Sequence, residues 1–381
     1  MQKFSTLNLL IVFLFLAEAF VATRTYGAEN LKDDKNLAAS NAPLRLRKIA
    51  LFRRAPGKIG PPEVTGVGWS PDGTMLAGYS AYGTLVTIWD TSTGNQLKAL
   101  NVLGRPHYVD SLFFLRNGHQ LVTPITLNSR EDNQYSLSLW NVDSGTVDKN
   151  IAGPFAGPSM ENQPGALALS PDGKRIAMSL TSGGRPVTVY STQDWSIEQS
   201  IQIDRPKRPD TAIALAFSSD GKTLAIGRIS GQISFHTVSD PNTDPAFVDI
   251  YTPLRAVNVG AVAYSPDGQF LATGALFGHT ILAEQEHAPI KIWRVADNSL
   301  VKVYAGEAVT VHQLAWSPDG RYLAAAMDDR AVRIYSPDKA DEPIAVQKFG
   351  SEIVYSVSFS PDGHKLAVGA GDGASIFQLE H

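Results

Sequence analysis

A four-residue turn, Ser-Pro-Asp-Gly or a close variant, recurs about every 50 residues, a spacing typical of repeat architectures. Proline pre-sets φ near −65°, and glycine accepts the positive φ that follows, so each copy predicts a tight reversal between two strands. Variants at 115–118 (LRNG) and 218–221 (SSDG) fill the two gaps in the series. The five exact copies lie at 70–73, 170–173, 265–268, 317–320 and 360–363. Seven such turns predict seven similar units and therefore a propeller.

The residues that flank the turns indicate strands with one packed face. A large-small-large triplet precedes six of the seven turns, and the second copy, Leu112-Phe113-Phe114, is the exception. An alternation with period two is typical of a half-buried strand. Three positions after every turn glycine comes an aliphatic residue: Leu76, Leu121, Ile176, Leu224, Leu271, Leu323 and Leu366.

A third strand follows in each unit and ends in an aromatic or near-aromatic residue. These residues are Trp89, Trp140, Tyr190, His236, Trp293, Tyr335 and Phe377. At this place the sequence resembles the WD40 family, although only Trp89-Asp90 matches the Trp-Asp dipeptide literally. The resemblance spans about residues 44–381 and implies an all-β fold: a seven-bladed β-propeller with four-stranded antiparallel blades around a channel.

The closure of the ring can also be predicted. Only Leu379, Glu380 and His381 follow the last third strand, so the seventh unit lacks its fourth strand. In the WD40 pattern an N-terminal strand completes the final blade, and residues 44–51 (LRLRKIAL) form an unassigned strand-like segment. We expect this segment to pair with residues 373–379, so that no blade is left with an open edge.

The N-terminal 27 residues have the properties of a signal peptide. Lys3 precedes an unbroken apolar run from Leu9 to Ala17, which is shorter than the ~20 residues of a membrane-spanning helix. We expect cleavage after 17–19 (AEA) or 25–27 (TYG); an uncleaved anchor is the alternative. Residues 28–43 are predicted to be a linker. The chain is therefore expected to be exported, to the periplasm or the exterior of a bacterium.

Composition narrows the class of function. The formal net charge is −4, which provides no broad positive field for binding nucleic acid. The chain has no cysteine, which excludes disulfides, thiol catalysis and cysteine–zinc sites. No nucleophile elbow or phosphate-binding loop is present either. We expect no cofactor, no metal site and no catalytic residue.

The sequence departs from the buried His–Ser/Thr–Asp–Trp hydrogen-bond network that the resemblance implies. Gly306-Glu307 and Phe349-Gly350 stand where the family has Gly-His. Asp328-Asp329 and Asp372 lie near the expected aspartate position, and we interpret them as structural turn residues. These departures put the network in doubt, but not the fold.

Two long connections between second and third strands are the main candidates for a binding surface. They are 126–135 in the second unit and the apolar 276–287 in the fifth, and the resemblance places both on the face called the top. The fifth connection is either a docking hairpin or a hairpin packed on its neighbour. A basic segment, 205–209 (RPKRP), is a further candidate, with a solvated loop flanked by Asp204 and Asp210 as the alternative. The candidate partner-binding residues are Arg130, Glu131, Arg205, Lys207, Arg208, Leu276, Phe277, His279, Ile281, Leu282 and His287.

The sequence thus predicts a monomeric, non-catalytic scaffold of the cell envelope or exterior, which binds a protein partner on its top face. A metal site built from His279, Glu284, Glu286 and His287 is disfavoured, because their spacing matches no zinc signature. The alternative function is a propeller enzyme, either a lactonase-like hydrolase or a quinone- or metal-dependent enzyme, with its site at the channel mouth.

Overall fold

The structure, a computed structural model, describes residues 44–53, 63–80, 85–102, 111–124, 135–152, 164–180, 186–203, 210–238, 240, 246–249, 257–277, 289–304 and 310–380. Across these ranges the chain forms seven antiparallel four-stranded sheets, the blades, arranged in a ring. None of the described residues forms a helix long and apolar enough to cross a membrane. The seven-bladed propeller predicted from the repeats is confirmed.

Each blade runs from a first strand, which lines the channel, to a fourth strand at the rim. Blades 1 and 2 comprise β2 (Gly66–Trp69), β3 (Met75–Ser80), β4 (Leu85–Asp90), β5 (Gln96–Asn101), β6 (Phe113–Phe114), β7 (Gln120–Pro124), β8 (Tyr135–Asn141) and β9 (Thr146–Ala152). Blades 3 and 4 comprise β10 (Pro164–Leu169), β11 (Arg175–Leu180), β12 (Val187–Ser191), β13 (Ile197–Ile201), β14 (Ala212–Phe217), β15 (Thr223–Arg228), β16 (Gln232–Thr237) and β17 (Ala246–Asp249). Blades 5 and 6 comprise β18 (Val257–Tyr264), β19 (Phe270–Phe277), β20 (Ile290–Arg294), β21 (Leu300–Tyr304), β22 (Val311–Trp316), β23 (Leu323–Met327), β24 (Ala331–Tyr335) and β25 (Ala345–Lys348). Blade 7 comprises β26 (Val354–Phe359), β27 (Lys365–Ala370), β28 (Gly373–Glu380) and, at its rim, β1 (Arg45–Phe52).

The repeated turn is stabilised by the side chains that define it. In the first copy, Ser70 Oγ donates a 2.6 Å hydrogen bond to Asp72 Oδ1 and accepts one of 2.9 Å from Met75 N. Gly73 has φ +72°, which a residue with a side chain rarely adopts. The same serine–aspartate bond, at 2.5–2.7 Å, closes the turns of blades 3 to 7. The serine, the aspartate and the glycine therefore act together in six of the seven turns, whereas of these three residues the blade 2 turn keeps only the glycine, at positive φ.

The core lies between blades and is built from the repeated aliphatic and aromatic positions. The seven aliphatic residues that follow the turns are each 0–1% exposed. Each pairs across the sheet with the aromatic position of the third strand, as in Leu76 with Trp89 and Leu366 with Phe377. Because this register repeats in every blade, neighbouring blades present matching apolar faces.

The ring closes as predicted. β1 pairs antiparallel with β28, from Arg45 opposite Glu380 to Phe52 opposite Ala374. The Phe52 ring lies 5.4 Å from the Trp89 ring, so the closing strand also contacts blade 1. Thus blade 7 is assembled from the two ends of the propeller sequence.

The antiparallel order gives the propeller two different faces. Turns between first and second strands share one face, here called the bottom face, with the turns between third and fourth strands. Connections between second and third strands share the top face with the connections from one blade to the next. On the top face, the connection between second and third strands spans only 371–372 in blade 7 but 278–289 in blade 5.

Candidate functional site

A cavity of about 300 Å³ lies in the channel between the first strands of blades 2 to 6. Small and apolar side chains dominate its described lining, and Ser111, His312 and Gln313 are its polar members. The first strands of blades 4, 5 and 6 each carry a β-bulge, and the extra residues, Ile213, Gly260 and His312, all line the cavity. Bulges redirect side chains beside functional sites. The cavity therefore offers apolar contact area with few hydrogen-bonding groups.

His312 is the one titratable side chain in the described lining of this cavity. Its Nε2 lies 3.6 Å from Asp328 Oδ1, longer than a hydrogen bond, and its ring lies 5.9 Å from that of Tyr355. Burial lowers the pKa of His312, and Asp328 opposes this shift only in part. The imidazole is therefore neutral at pH 7 and suits a hydrogen bond to a bound group.

Gln313, beside it, links two blades. Its Oε1 accepts a 3.0 Å hydrogen bond from Val357 N in blade 7. Similar bonds join two further pairs of inner strands: Trp69 Nε1 donates to Ser358 O at 3.0 Å, between blades 1 and 7, and Trp316 Nε1 donates to Ala263 O at 3.1 Å, between blades 6 and 5. The channel wall is thus fixed by bonds between blades, which presents the top face on a rigid frame.

Blade 4 contains a buried ion pair near the top face. Arg228 is 1% exposed and Asp210 is 3% exposed, with 3.6 Å between Nη1 and Oδ2. Arg228 Nη1 also donates to Ile203 O at 2.5 Å, and its Nε and Nη2 donate to Ser234 Oγ at 3.1 and 2.8 Å. Asp210 accepts a 2.8 Å bond from Ser230 Oγ. Two buried charges are tolerated here because each is paired and hydrogen-bonded.

His236 extends this arrangement. Its Nε2 lies 2.9 Å from Ser234 Oγ, and burial, together with the positive charge of Arg228, lowers the pKa of His236 to about 4. The imidazole therefore stays neutral over the physiological range. Blade 4 thus has an Asp–Arg–Ser–His arrangement where the family resemblance implies His–Ser/Thr–Asp–Trp.

Part of the family network persists in two other blades. Trp140 Nε1 donates to Thr123 Oγ1 at 2.9 Å in blade 2, and Trp293 Nε1 donates to Thr273 Oγ1 at 3.1 Å in blade 5. The sequence left this network in doubt, and the structure retains its tryptophan–threonine link. In blade 6, Asp329 instead forms an ion pair with Arg333, whose Nη1 donates to Oδ1 at 2.9 Å.

Two of the predicted partner-binding residues lie inside a strand, which corrects the limits of the fifth connection. Leu276 and Phe277 end β19, and Leu276 pairs with Asn258. The Cβ of Leu276 lies 2.5 Å from where a Cβ on Gly260 would lie, so Leu276 packs over this glycine at the channel. The remaining predicted residues lie outside the described part of the chain: Arg130, Glu131, Arg205, Lys207, Arg208, His279, Ile281, Leu282 and His287.

Sequence reasoning missed the charged groups that the fold brings together. Asp210 follows the basic segment in sequence, and the structure adds a partner that the sequence did not reveal, Arg228. One regularity in the sequence could have indicated this acid: Asp210 and Glu352 both precede their turn serines, Ser218 and Ser360, by the same number of residues.

Among the described residues, no group of three His, Cys, Asp or Glu side chains is arranged to hold a metal ion.

Comparison with known proteins agrees with the architecture. The family model described as "WD domain, G-beta repeat" matches residues 253–281, 298–336 and 343–374, which belong mainly to blades 5 to 7. The WD repeat-containing protein WDS homolog of Arabidopsis thaliana is 22% identical over 284 residues, covering 74% of this chain and 48% of that protein. The Intraflagellar transport protein 122 homolog of Danio rerio is 26% identical over 220 residues, or 56% of this chain and 16% of that protein. The Protein LST8 homolog of Drosophila melanogaster is 23% identical over 246 residues, or 63% and 71%. The chain thus spans less than half the length of the first two relatives.

Proposed function

We propose that this chain, three segments of which match the WD40 repeat model and whose relatives include WD repeat proteins, is a non-catalytic protein-interaction scaffold of the cell envelope or exterior, which binds its partner on the top face. Relationship to WD repeat proteins supports the scaffold role. The location is proposed from residues 1–27, which have the composition of an export signal.

The difference between the two faces is the observation that carries this proposal. The bottom face consists largely of one repeated turn, whose serine and aspartate are occupied by each other. The top face has connections of unequal length around a channel with apolar lining. Binding residues concentrate on loops held by a rigid scaffold.

A pull-down after crosslinking in cells tests the docking surface. Since β19 ends at Phe277 and β20 begins at Ile290, residues 278–288 can be replaced by Asn-Gly without shortening either strand. A matched control changes Lys339 and Glu342, two exposed residues on the bottom face, to alanine. We expect the wild type and the control to capture the same envelope protein, and the loop variant to lose it.

Loss of capture in both variants, or in neither, would contradict a top-face docking loop. If the wild type captures nothing, the scaffold proposal fails, and the purified protein is then tested by elemental analysis and absorbance for calcium or a quinone. For the proposed location, fractionation of cells and mass spectrometry of the mature N-terminus provide the check. An intact N-terminus on a cytoplasmic protein would contradict export.

A further inference from the structure

The polar residues of blade 4 have counterparts in blade 7, and the differences between the two sets are informative. Ala212 pairs with Arg228 in blade 4, and Val354 pairs with Ala370 at the same register in blade 7. Asp210 precedes Ala212 by two positions, as Glu352 precedes Val354. The acidic residue is therefore kept in blade 7, whereas the arginine that neutralises it in blade 4 is replaced by alanine.

The hydrogen-bonding partners of the blade 4 acid are also changed in blade 7. Asp372 stands at the position of Ser230, which donates to Asp210, so a donor is replaced by a second acid. Ser375 corresponds to Ser234, the acceptor for Arg228, since each pairs with the equivalent residue of the second strand. Ser375 is fully buried, and its Oγ and the Oδ1 of Asp372 have no hydrogen-bond partner in the described structure.

Glu63 of blade 1 adds a third acid to this region of blade 7. Glu63 is 8% exposed, and no described residue donates a hydrogen bond to its carboxylate or forms an ion pair with it. Backbone bonds bring Glu63 and Glu352 to the same place: Val64 N donates to Ala370 O at 2.9 Å, and Gly371 N donates to Ile353 O at 3.1 Å, so each acid directly precedes a residue that is bonded to one of two consecutive positions. Burial, together with the charge of Glu352, raises the pKa of Glu63.

Glycine at position 371 leaves room for the Glu352 carboxylate. A Cβ built on Gly371 would overlap Glu352 Oε2, although φ at this residue is not in the left-handed region. Glu352 and Asp372 are only partly buried, so the cluster is accessible from the top face. We call Glu63, Glu352 and Asp372 the carboxylate cluster.

We propose that the carboxylate cluster binds an arginine side chain supplied by the protein partner, in the role that Arg228 has within blade 4. This inference rests on the proposed scaffold function. A buried acid without a cation is unfavourable in the free protein, and a guanidinium brings both the missing charge and several N–H donors. The planar guanidinium of arginine can donate to two carboxylates at once, which suits this cluster better than the compact ammonium group of lysine.

The direct test uses the blocked peptide acetyl-Ala-Arg-Ala-amide and its citrulline counterpart, which has a similar shape and no charge. Isothermal titration calorimetry with the purified full-length chain should show at least tenfold tighter binding of the arginine peptide. Glu63→Gln and Glu352→Gln should each weaken this binding at least tenfold. Glu342→Gln, which alters an exposed carboxylate on the bottom face, should leave it unchanged. Circular dichroism confirms that each variant is folded.

A second variant tests the same idea from the opposite direction. Ala370→Arg places an arginine at the register position of Arg228 and should block the arginine peptide without any change in the acids. Equal affinity for the citrulline peptide, undiminished binding to Glu63→Gln, or calcium binding that displaces the peptide would each overturn the proposal.

The cellular pull-down separates this inference from the proposed function. If wild type captures a partner that Glu63→Gln/Glu352→Gln loses, both the scaffold and the arginine site are supported. If the double variant captures the partner as well as wild type does, the arginine site fails and the scaffold stands. If wild type captures nothing, the scaffold itself fails.

Discussion

Replacing Arg228 by methionine should destabilise the protein strongly, because the substitution leaves the Asp210 carboxylate 3% exposed without this cation. The arginine is held by Ile203 O and Ser234 Oγ and lies 3.6 Å from Asp210. Removing one partner of a buried pair costs about 3–5 kcal/mol in the free energy of unfolding. Replacing both charges, in Arg228→Met/Asp210→Asn, should cost only about 1–2 kcal/mol, since no uncompensated charge is then created.

Urea unfolding followed by tryptophan fluorescence measures these differences through the midpoint and the slope. Arg175→Met is the matched control, because it breaks a 2.6 Å pair with Glu198 whose side chains are 27% and 35% exposed; it should cost about 0–1 kcal/mol. A double variant as unstable as the sum of its single variants would refute the reasoning. So would an Arg228→Met protein within about 1 kcal/mol of wild type. In the folded single variant, the pKa of His236 should rise from about 4, because Arg228 contributes to lowering it.

Three further substitutions test the repeated core, the closure and the buried acid. Leu76→Ala should lower the free energy of unfolding by about 2–5 kcal/mol in the same urea assay, because the side chain is fully buried against the neighbouring blade; a loss below about 1 kcal/mol would contradict this packing. Gly373→Ala should cost about 1–3 kcal/mol and expose β1 to trypsin at Lys48, because φ is +129° and the new Cβ would meet Phe52 O. Gly350→Ala is the control for the contact: φ is positive there too, at +62°, but the new Cβ would meet nothing within 4 Å, so Lys48 should stay protected. Burial raises the pKa of Glu63 in the folded state above its ordinary value of 4.5, so ionisation of this carboxyl group is less favourable in the folded protein than in the unfolded chain and opposes folding. Glu63→Gln should therefore be more stable than wild type at pH 7, and this advantage should disappear as the pH falls below 4.5; an advantage independent of pH would contradict the shift.

The elements that local chemistry determines were predictable from sequence. The turn is predictable because Ser70, Asp72 and Gly73 interact within a few residues of one another. The core register is predictable because the aliphatic residue after each turn keeps the same spacing in all seven copies. The closing strand is predictable because the seventh unit lacks one strand and residues 44–51 supply it.

The polar sites could not be predicted in the same way, because they depend on contacts between distant segments. Asp210 and Arg228 become partners only when β14 and β15 are aligned with a bulge between Ala212 and Ala214. Glu63 and Glu352 come close only where blade 1 contacts blade 7, through the bonds of Val64 N to Ala370 O and of Gly371 N to Ile353 O. The sequence predicted that the connection begins at residue 276, whereas β19 continues to Phe277. Apolar residues such as Leu276 and Phe277 are compatible with both a strand and an apolar loop, so the sequence pattern does not show where the strand ends.

The closing strand also sets the order of events in folding. Arg47 bonds to Glu380, a residue 333 positions later, so β1 has no partner until β28 has been synthesised. In a chain that emerges from a ribosome or crosses a membrane N-terminus first, β1 therefore stays without its partner strand while the first six blades form. During this interval the strand presents unpaired backbone groups to any neighbouring chain.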